Sequence, residues 1–289
     1  MNPSTILMVF ALCWMMAGTV HGSSDSDEDQ RFIVDRDVAF LPQHRPEKLD
    51  LYIPPDPKPG TTRPGIVLIH GGGWTVGDKS DPRERQIASV LANAGFVVVS
   101  INYQLATRDK PAWPTCLDDC RSAVDYLRQR AADLAIDPDR IGAVGASAGG
   151  TMALLLGVDY PDNGFRKVQA IVALYAPSDL TQKPFESPLI FGVDRDQRPD
   201  LLRSASPLFQ VHRGFPPTLL IHGTADNVVS SEQSQGLADR LKEMNVVHEL
   251  VLLKDGPHSF PIFNESHDLR DKIIRFFRQY LQHDIGPQK

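Results

Sequence analysis

Strand-like apolar runs alternate with amphipathic segments, glycine-rich corners fall where the strands end, and the composition is 42% hydrophobic and 23% charged. These observations predict an α/β domain: a mostly parallel central sheet with helices on both faces and one short cap insertion. A chain of 289 residues suits a single unit of this class, because α/β folds run to about 250 residues as one domain. The expected organisation is a signal peptide over 1–22, an acidic linker over 23–30 and the α/β domain over 31–285, with the insertion at 181–210.

The elements follow in order. Arg31–Val38 and Lys48–Ile53 alternate in polarity and read as edge strands. Gly65–His70 is a continuous apolar run, as expected of a strand buried on both faces. Asp81 and Pro82 supply an N-cap and a first-turn residue, and Ile87, Val90 and Leu91 recur at helical spacing until Gly95. Phe96–Ile101 is the next buried strand. Pro114 and Thr115 lead into a helix carrying Leu117, Val124 and Leu127 on one side. Asp137-Pro138-Asp139 reads as a turn before a strand at Ile141–Val144. A helix from Ala148 to Val158 and a strand at Gln169–Tyr175 come next. Strands at Thr218–Ile221 and Glu249–Leu253 flank a helix at Ser231–Met244. The last helix has Ile273, Ile274, Phe277 and Leu281 on one face.

Thr181–Gln210 breaks the alternation. It is rich in proline and charge, and its apolar members are Pro184, Phe185, Leu189 and Phe191. A long aperiodic piece in a compact domain is usually functional, so it is expected to cap the strand ends. The alternative is a surface loop that only covers the sheet.

Ile6–Val20 is apolar and uncharged but short of the ~20 residues a membrane span needs. With small residues at Val20 and Gly22 it matches a secretory signal, which predicts a secreted or periplasmic protein. An uncleaved anchor is the alternative, since Met1–Thr5 lacks Lys and Arg. Ser23–Gln30 is acidic and polar and is expected to stay solvated. Cys116 and Cys120 stand four apart in a predicted helix, where disulfide geometry is poor. Two semi-buried thiols are the expectation, and the absence of neighbouring His or Cys argues against a metal site there. The net charge is −6 and the basic residues are scattered, so neither nucleic acid nor an anionic membrane is an expected partner.

Chemistry concentrates at three corners. Gly145-Ala146-Ser147-Ala148-Gly149-Gly150 joins a strand directly to a helix, where small neighbours allow the sharp bend that lifts a serine oxygen out of the sheet. His70-Gly71-Gly72-Gly73-Trp74 ends an earlier strand. Its glycines let backbone N–H groups approach a carbonyl oxygen, and the N–H of Ala148 completes an oxyanion hole. The run lacks the Lys-Ser/Thr of a phosphate-binding loop. Asp226 follows one late strand and His258 the next. A serine needs a base, and an imidazole base needs a carboxylate to fix its tautomer. The expected triad is therefore Ser147, His258 and Asp226; Asp179 is the rival acid, Asp255 lies too close to His258 in the same loop to be the preferred orienter, His248 and His267 are competing bases, and His222 packs against or orients Asp226. Trp74, Trp113 and Phe191 are candidate pocket residues, placed either to stack on a sugar or phenolic ring or simply to pack.

Together, the three glycine-rich motifs at His70–Trp74, Gly145–Gly150 and His222–Asp226 resemble those of bacterial α/β-hydrolase esterases related to feruloyl and acetylxylan esterases and to the hormone-sensitive-lipase group. The resemblance covers roughly Arg31 to Leu281. It implies the α/β-hydrolase fold, hydrolysis of a small-molecule or oligosaccharide ester through an acyl-enzyme, no cofactor or metal, and Gly72 and Gly73 as the oxyanion donors beside Ala148. Tyr103-Gln104-Leu105 departs from the Tyr-Arg-Leu usual in the hormone-sensitive-lipase group, which favours the feruloyl/acetylxylan branch. A serine peptidase of the prolyl-oligopeptidase type and a non-catalytic binding protein share the fold and stay open. The sequence leaves the oligomeric state open.

Overall fold

β1 (Ile33–Val38), β2 (Leu49–Ile53), β3 (Arg63–Ile69), β4 (Val97–Ile101), β5 (Ile136–Ala146), β6 (Ala170–Leu174), β7 (Thr218–Gly223) and β8 (His248–Leu253) form one sheet in the order β1-β2-β4-β3-β5-β6-β7-β8. β2 is antiparallel to both β1 and β4, and the remaining neighbours are parallel. The computed structural model describes residues 31–159, 164–182, 185, 188–193, 198–263 and 267–282. The expected signal peptide at 1–22, the linker at 23–30 and parts of the insertion, Pro184 among them, lie outside the described residues.

The helices are α1 (Pro82–Asn93), α2 (Thr115–Gln129), α3 (Ala148–Leu155), α4 (Pro188–Phe191), α5 (Pro199–Ser204), α6 (Pro207–Gln210), α7 (Glu232–Glu243) and α8 (Arg270–Leu281). Strand side chains alternate between two cores, as the pleat requires. Ile66, Leu68, Val98, Val144 and Val172 pack with Ile87 and Leu91 of α1 and Ile273 and Phe277 of α8. Val67, Ile69, Val97, Val99 and Ile171 pack with Leu117 and Val124 of α2, Met152 and Leu155 of α3, and Leu237 and Leu241 of α7. Burial on both faces is why these strands read as unbroken apolar runs. Close packing extends to the glycines: a Cβ on Gly142 would stand 2.8 Å from Cε1 of Phe277, so α8 lies directly on β5.

The turn expected at Asp137–Asp139 lies inside β5. Asp137 Oδ1 does accept the Asp139 N–H at 2.9 Å, the bond that an Asp-Pro-Asp triplet favours. Pairing with β3 resumes on its N-terminal side, however: Arg63 pairs with Ile136 and Gly65 with Ile141. The triplet is therefore a bulge in a long strand. The helix expected to reach Val158 stops at Leu155.

The insertion contains the short helices α4, α5 and α6. Phe185, Ile190, Phe191, Leu202 and Ala205 are buried in the same core as α2 and α3, and Leu208 N–H donates to Ser178 O at 3.0 Å. The segment is thus fastened to the body of the domain. Cys116 and Cys120 are free and buried, and the Cys120 thiol donates to Cys116 O at 3.1 Å. Burial pushes both thiols up, which keeps them protonated and unreactive. Among the described residues no helix is long and apolar enough to cross a membrane.

Candidate active site

The carboxyl ends of the parallel strands carry the corners singled out above, as expected for open α/β sheets. At the end of β5 the chain turns into α3 through Ser147, whose φ of 53° and ψ of −122° are strained for a residue with a side chain. The bend is possible because its neighbours are small. A Cβ on Gly145 would lie 2.2 Å from Gly149 O, and one on Gly149 would lie 2.2 Å from Ile69 O. The Ser147 N–H donates to Leu174 O at 2.8 Å, which ties the corner to the end of β6. Ala148 is the first residue of α3, where a backbone N–H has no acceptor within the helix.

The glycine loop follows β3 and lies against this corner. A Cβ on Gly71 would stand 3.4 Å from Ser147 Cβ and 3.0 Å from Ala146 O. Gly72 has φ +110° and Gly73 φ +59°, and a Cβ on Gly72 would sit 1.9 Å from Val76 O. Gly72 O accepts the N–H groups of Thr75 and Val76, both at 3.1 Å. The N–H groups of Gly72 and Gly73 donate to no backbone carbonyl among the described residues. Two side chains pin the base of the loop. The Tyr103 hydroxyl donates to His70 O at 3.1 Å, and the rings of the two residues stack at 4.3 Å. His70 Nδ1 lies 2.7 Å from Gly71 O. A carbonyl only accepts, so Nδ1 carries the proton. Complete burial lowers the His70 pKa to about 4, against a weaker opposing effect of that hydrogen bond.

Asp226 and His258 meet across the ends of β7 and β8. His258 Nδ1 donates to Asp226 Oδ2 at 2.6 Å, and the carboxylate is fully buried. His222 Nε2 reaches the same oxygen at 3.2 Å and Val229 O at 2.9 Å. Both partners accept, so Nε2 carries the proton, and Nδ1 faces the Ser234 hydroxyl at 2.7 Å. The backbone N–H groups of Val228 and Val229 donate to Asp226 Oδ1 at 2.9 and 2.8 Å. Burial alone would raise the pKa of this carboxyl, but the hydrogen bonds from His222 and His258 outweigh it and hold the group well below the usual carboxylate range. Asp179 spends its oxygens on Thr181 and Gln182 of its own loop, at 2.6 to 3.0 Å. Asp255 lies in the loop that ties β8 to β7, its N–H donating to Thr224 Oγ1 at 2.8 Å. Of the candidate acids, Asp226 is the one hydrogen-bonded to His258.

The aromatic candidates are packed away. Trp74, Trp113 and Phe191 are only 2%, 9% and 5% exposed; Trp113 and Phe191 lie 6.0 Å apart, and Trp113 N–H donates to Ile190 O at 3.0 Å. Of the two fates open to the tryptophans, stacking or packing, their burial accords with packing: the insertion meets Trp113 and the core encloses Trp74. Sequence reasoning did not single out Arg83, Glu84 or Tyr175. Arg83 donates to Glu84 and to the Tyr175 hydroxyl, and the Tyr175 ring packs edge-on against His258 at 4.8 Å. The only sequence signals were a charged pair at a helix start and a tyrosine at a strand end.

A strained serine, a loop whose Gly72 and Gly73 N–H groups have no backbone acceptor among the described residues, and an imidazole on a buried carboxylate can together perform nucleophilic acyl transfer. The burial of His70 has a consequence for pH dependence. Its pKa is about 4 in the fold against 6.5 for the free side chain. The unfolded chain therefore binds more protons between these values, and stability falls as pH drops from 6.5 to 4. At about 1.4 kcal/mol per pH unit the loss is on the order of 3 kcal/mol. Urea unfolding of the wild type and of His70→Asn across this range measures it: the variant, although less stable at neutral pH, should lose correspondingly less on acidification. An equal loss in both would show that His70 is not held neutral.

Comparison with known proteins agrees with this architecture. A chain of known structure described as a truncated carbohydrate esterase from gut microbiota superimposes with a TM-score of 0.76 at 26% identity, covering 89% of this chain and 99% of that one. An acetyl ester-xyloside bifunctional hydrolase from Caldicellulosiruptor lactoaceticus superimposes with a TM-score of 0.69 at 26% identity, covering 83% and 90%. The chain has the α/β-hydrolase fold. By sequence it is 29% identical over 254 residues to Esterase LipQ of Mycobacterium tuberculosis, covering 82% of this chain and 59% of LipQ. It covers 59% of that relative and only 52% and 50% of two other mycobacterial ester hydrolases. The BD-FAE family model matches residues 49–241, most of the described domain, and the chain belongs to the BD-FAE family.

Proposed function

We propose that the protein is a serine carboxylic-ester hydrolase acting on short acyl esters of small molecules or oligosaccharides, acetylated or feruloylated plant polysaccharide fragments among them. The observation that carries this reading is the 2.6 Å hydrogen bond from His258 to the buried Asp226, on the same edge of the sheet as the strained Ser147. The names of the neighbours, a carbohydrate esterase and an acetyl ester-xyloside hydrolase, support the substrate class. In this reading Ser147 Oγ attacks the ester carbonyl carbon as its proton passes to His258 Nε2, while Nδ1–H stays on Asp226. The N–H groups of Gly72, Gly73 and Ala148 hold the resulting oxyanion. Collapse expels the alcohol, which takes the proton from His258 and leaves an acyl-serine. Water then attacks, gives its proton to His258, and the second collapse releases the acid and restores the Ser147 hydroxyl. The residues 181–210 form a cap. The apolar leader Ile6–Val20 directs the chain out of the cytoplasm.

Among the described residues of the cap, helices of four, six and four residues offer no long amphipathic face of the kind a lipid-activated lid needs. Acetyl and propionyl p-nitrophenyl esters are therefore expected to have kcat/KM well above esters of eight carbons or more. A fitted acyl tunnel would instead gain ~0.8 kcal/mol per methylene, so a steady rise with chain length would contradict the short-acyl reading. On the acetyl ester, Ser147→Ala should lower kcat by about 10⁴–10⁶. Asp226→Asn should lower it by roughly 10⁴, whereas Asp179→Asn should leave it within a few-fold. Full activity in Ser147→Ala would refute the nucleophile, and a severe Asp179→Asn beside a mild Asp226→Asn would refute the acid.

A further inference from the structure

A partly buried polar chain runs beside the site and takes no part in the acyl transfer. Glu84, in the first turn of α1, is fully buried, and its Oε1 accepts Nε–H and Nη2–H of Arg83 at 3.1 and 3.0 Å. The remaining arm of the guanidinium points the other way: Nη1 donates to the Tyr175 hydroxyl at 2.9 Å. The side chain of Ser259, the residue after His258, lies near enough to that hydroxyl to temper the rise in its pKa that burial causes. The Tyr175 ring meets His258 edge-on at 4.8 Å and Phe260 at 5.0 Å, so it sits between two residues of the base-bearing loop. Tyr175 and Ser259 both have positive φ, 39° and 56°, conformations that persist only where surrounding contacts enforce them. The chain also borders the other half of the site. Arg83 Nη2 and Ser147 Cβ lie 3.6 and 3.4 Å from one point, the place where a Cβ on Gly71 would stand.

Stability alone does not account for this arrangement. Withdrawing the Glu84 carboxylate from water, against an arginine that is itself 27% exposed, costs about as much as the attraction commonly returns, and an apolar residue of like volume is often as stable. An arginine fork does fix its partners in one plane. We propose that Arg83 and Tyr175 are positioning residues: Glu84 orients the guanidinium, the guanidinium fixes the Tyr175 hydroxyl, and Tyr175 holds the His258–Ser259 turn so that the imidazole bound to Asp226 meets Ser147 in one orientation. This inference rests on the acyl-transfer reading above. Arg83 and Tyr175 act through His258 and touch no reacting atom, so their loss lowers kcat and spares KM.

The test uses the full chain and p-nitrophenyl acetate, with Ser147→Ala as reference. Tyr175→Phe keeps the ring and removes only the hydroxyl. It should fold as the wild type does, with kcat lower by about tenfold, within the range that misplacement of catalytic groups produces, and KM within about twofold. Arg83→Met should match it. Arg83→Lys should recover part of the loss, since an ammonium can reach the hydroxyl without the fork. The double variant Arg83→Met/Tyr175→Phe should fall no lower than either single change, because both break the same hydrogen bond. Unchanged kcat in Tyr175→Phe, additive losses in the double variant, or a rise in KM alone in Arg83→Met, the mark of a guanidinium that binds substrate, would each overturn the proposal. Tyr175→Phe decides the matter even where Arg83→Met does not fold. Full activity in Ser147→Ala would remove the acyl-transfer reading, and the proposal with it, whereas a dead Ser147→Ala beside a wild-type Tyr175→Phe would refute the positioning role alone.

Discussion

The strand-to-helix corner at Ser147 is the constraint on which the rest depends. A residue with a side chain held at φ 53° and ψ −122° costs about 1–3 kcal/mol, and the surroundings must offset it. They do so by burial: every residue of α3 is inaccessible to solvent, and α3 packs between β5 and β6. The glycines are the geometric counterpart. With Gly145 and Gly149 in van der Waals contact and Gly149 against the carbonyl of Ile69, the helix approaches β3 as closely as backbone can. That approach brings the loop after β3 against the serine, where a Cβ on Gly71 would stand 3.0 Å from Ala146 O.

Three imidazoles stand at this edge of the sheet, and their surroundings separate them. His70 is enclosed and neutral and uses one N–H to hold the loop backbone. His222 is locked between Ser234, Val229 and Asp226 and serves as a donor to the carboxylate. His258 binds Asp226 through Nδ1, the arrangement that leaves the other nitrogen for proton transfer. The carboxylate common to the last two has four donors, two from backbone and two from imidazole, so it stays ionised in the interior where an unpaired charge would be prohibitive. One residue type thus serves as strut, clamp and candidate base because its hydrogen-bond partners differ.

Much of this was legible in the sequence because the signals are local. Apolar runs marked the central strands, Pro82 and Gly95 bracketed α1, and the glycines around Ser147 have one physical use at a strand end. The Asp226–His258 pairing was accessible from strand order. The sequence also misdirected where local chemistry and long-range pairing compete: Asp137-Pro138-Asp139 makes its turn hydrogen bond and is still absorbed into β5 by pairing with β3. For Trp74 and Trp113 the sequence left stacking and packing both open, because their burial is decided by segments distant in the chain. Arg83, Glu84 and Tyr175 carry no motif, because the contact between α1 and the end of β6 spans 92 residues of separation and leaves no periodic trace.

Covalent labelling of the intact protein with a fluorophosphonate, followed by peptide mass mapping, tests the central claim most directly, since only an activated nucleophile beside oxyanion donors reacts at low reagent concentration. The account predicts one adduct per chain, on Ser147, suppressed by excess short acyl ester and absent from Asp226→Asn on the same time scale. A wild-type protein that stays unlabelled, or an adduct on another residue, would contradict it.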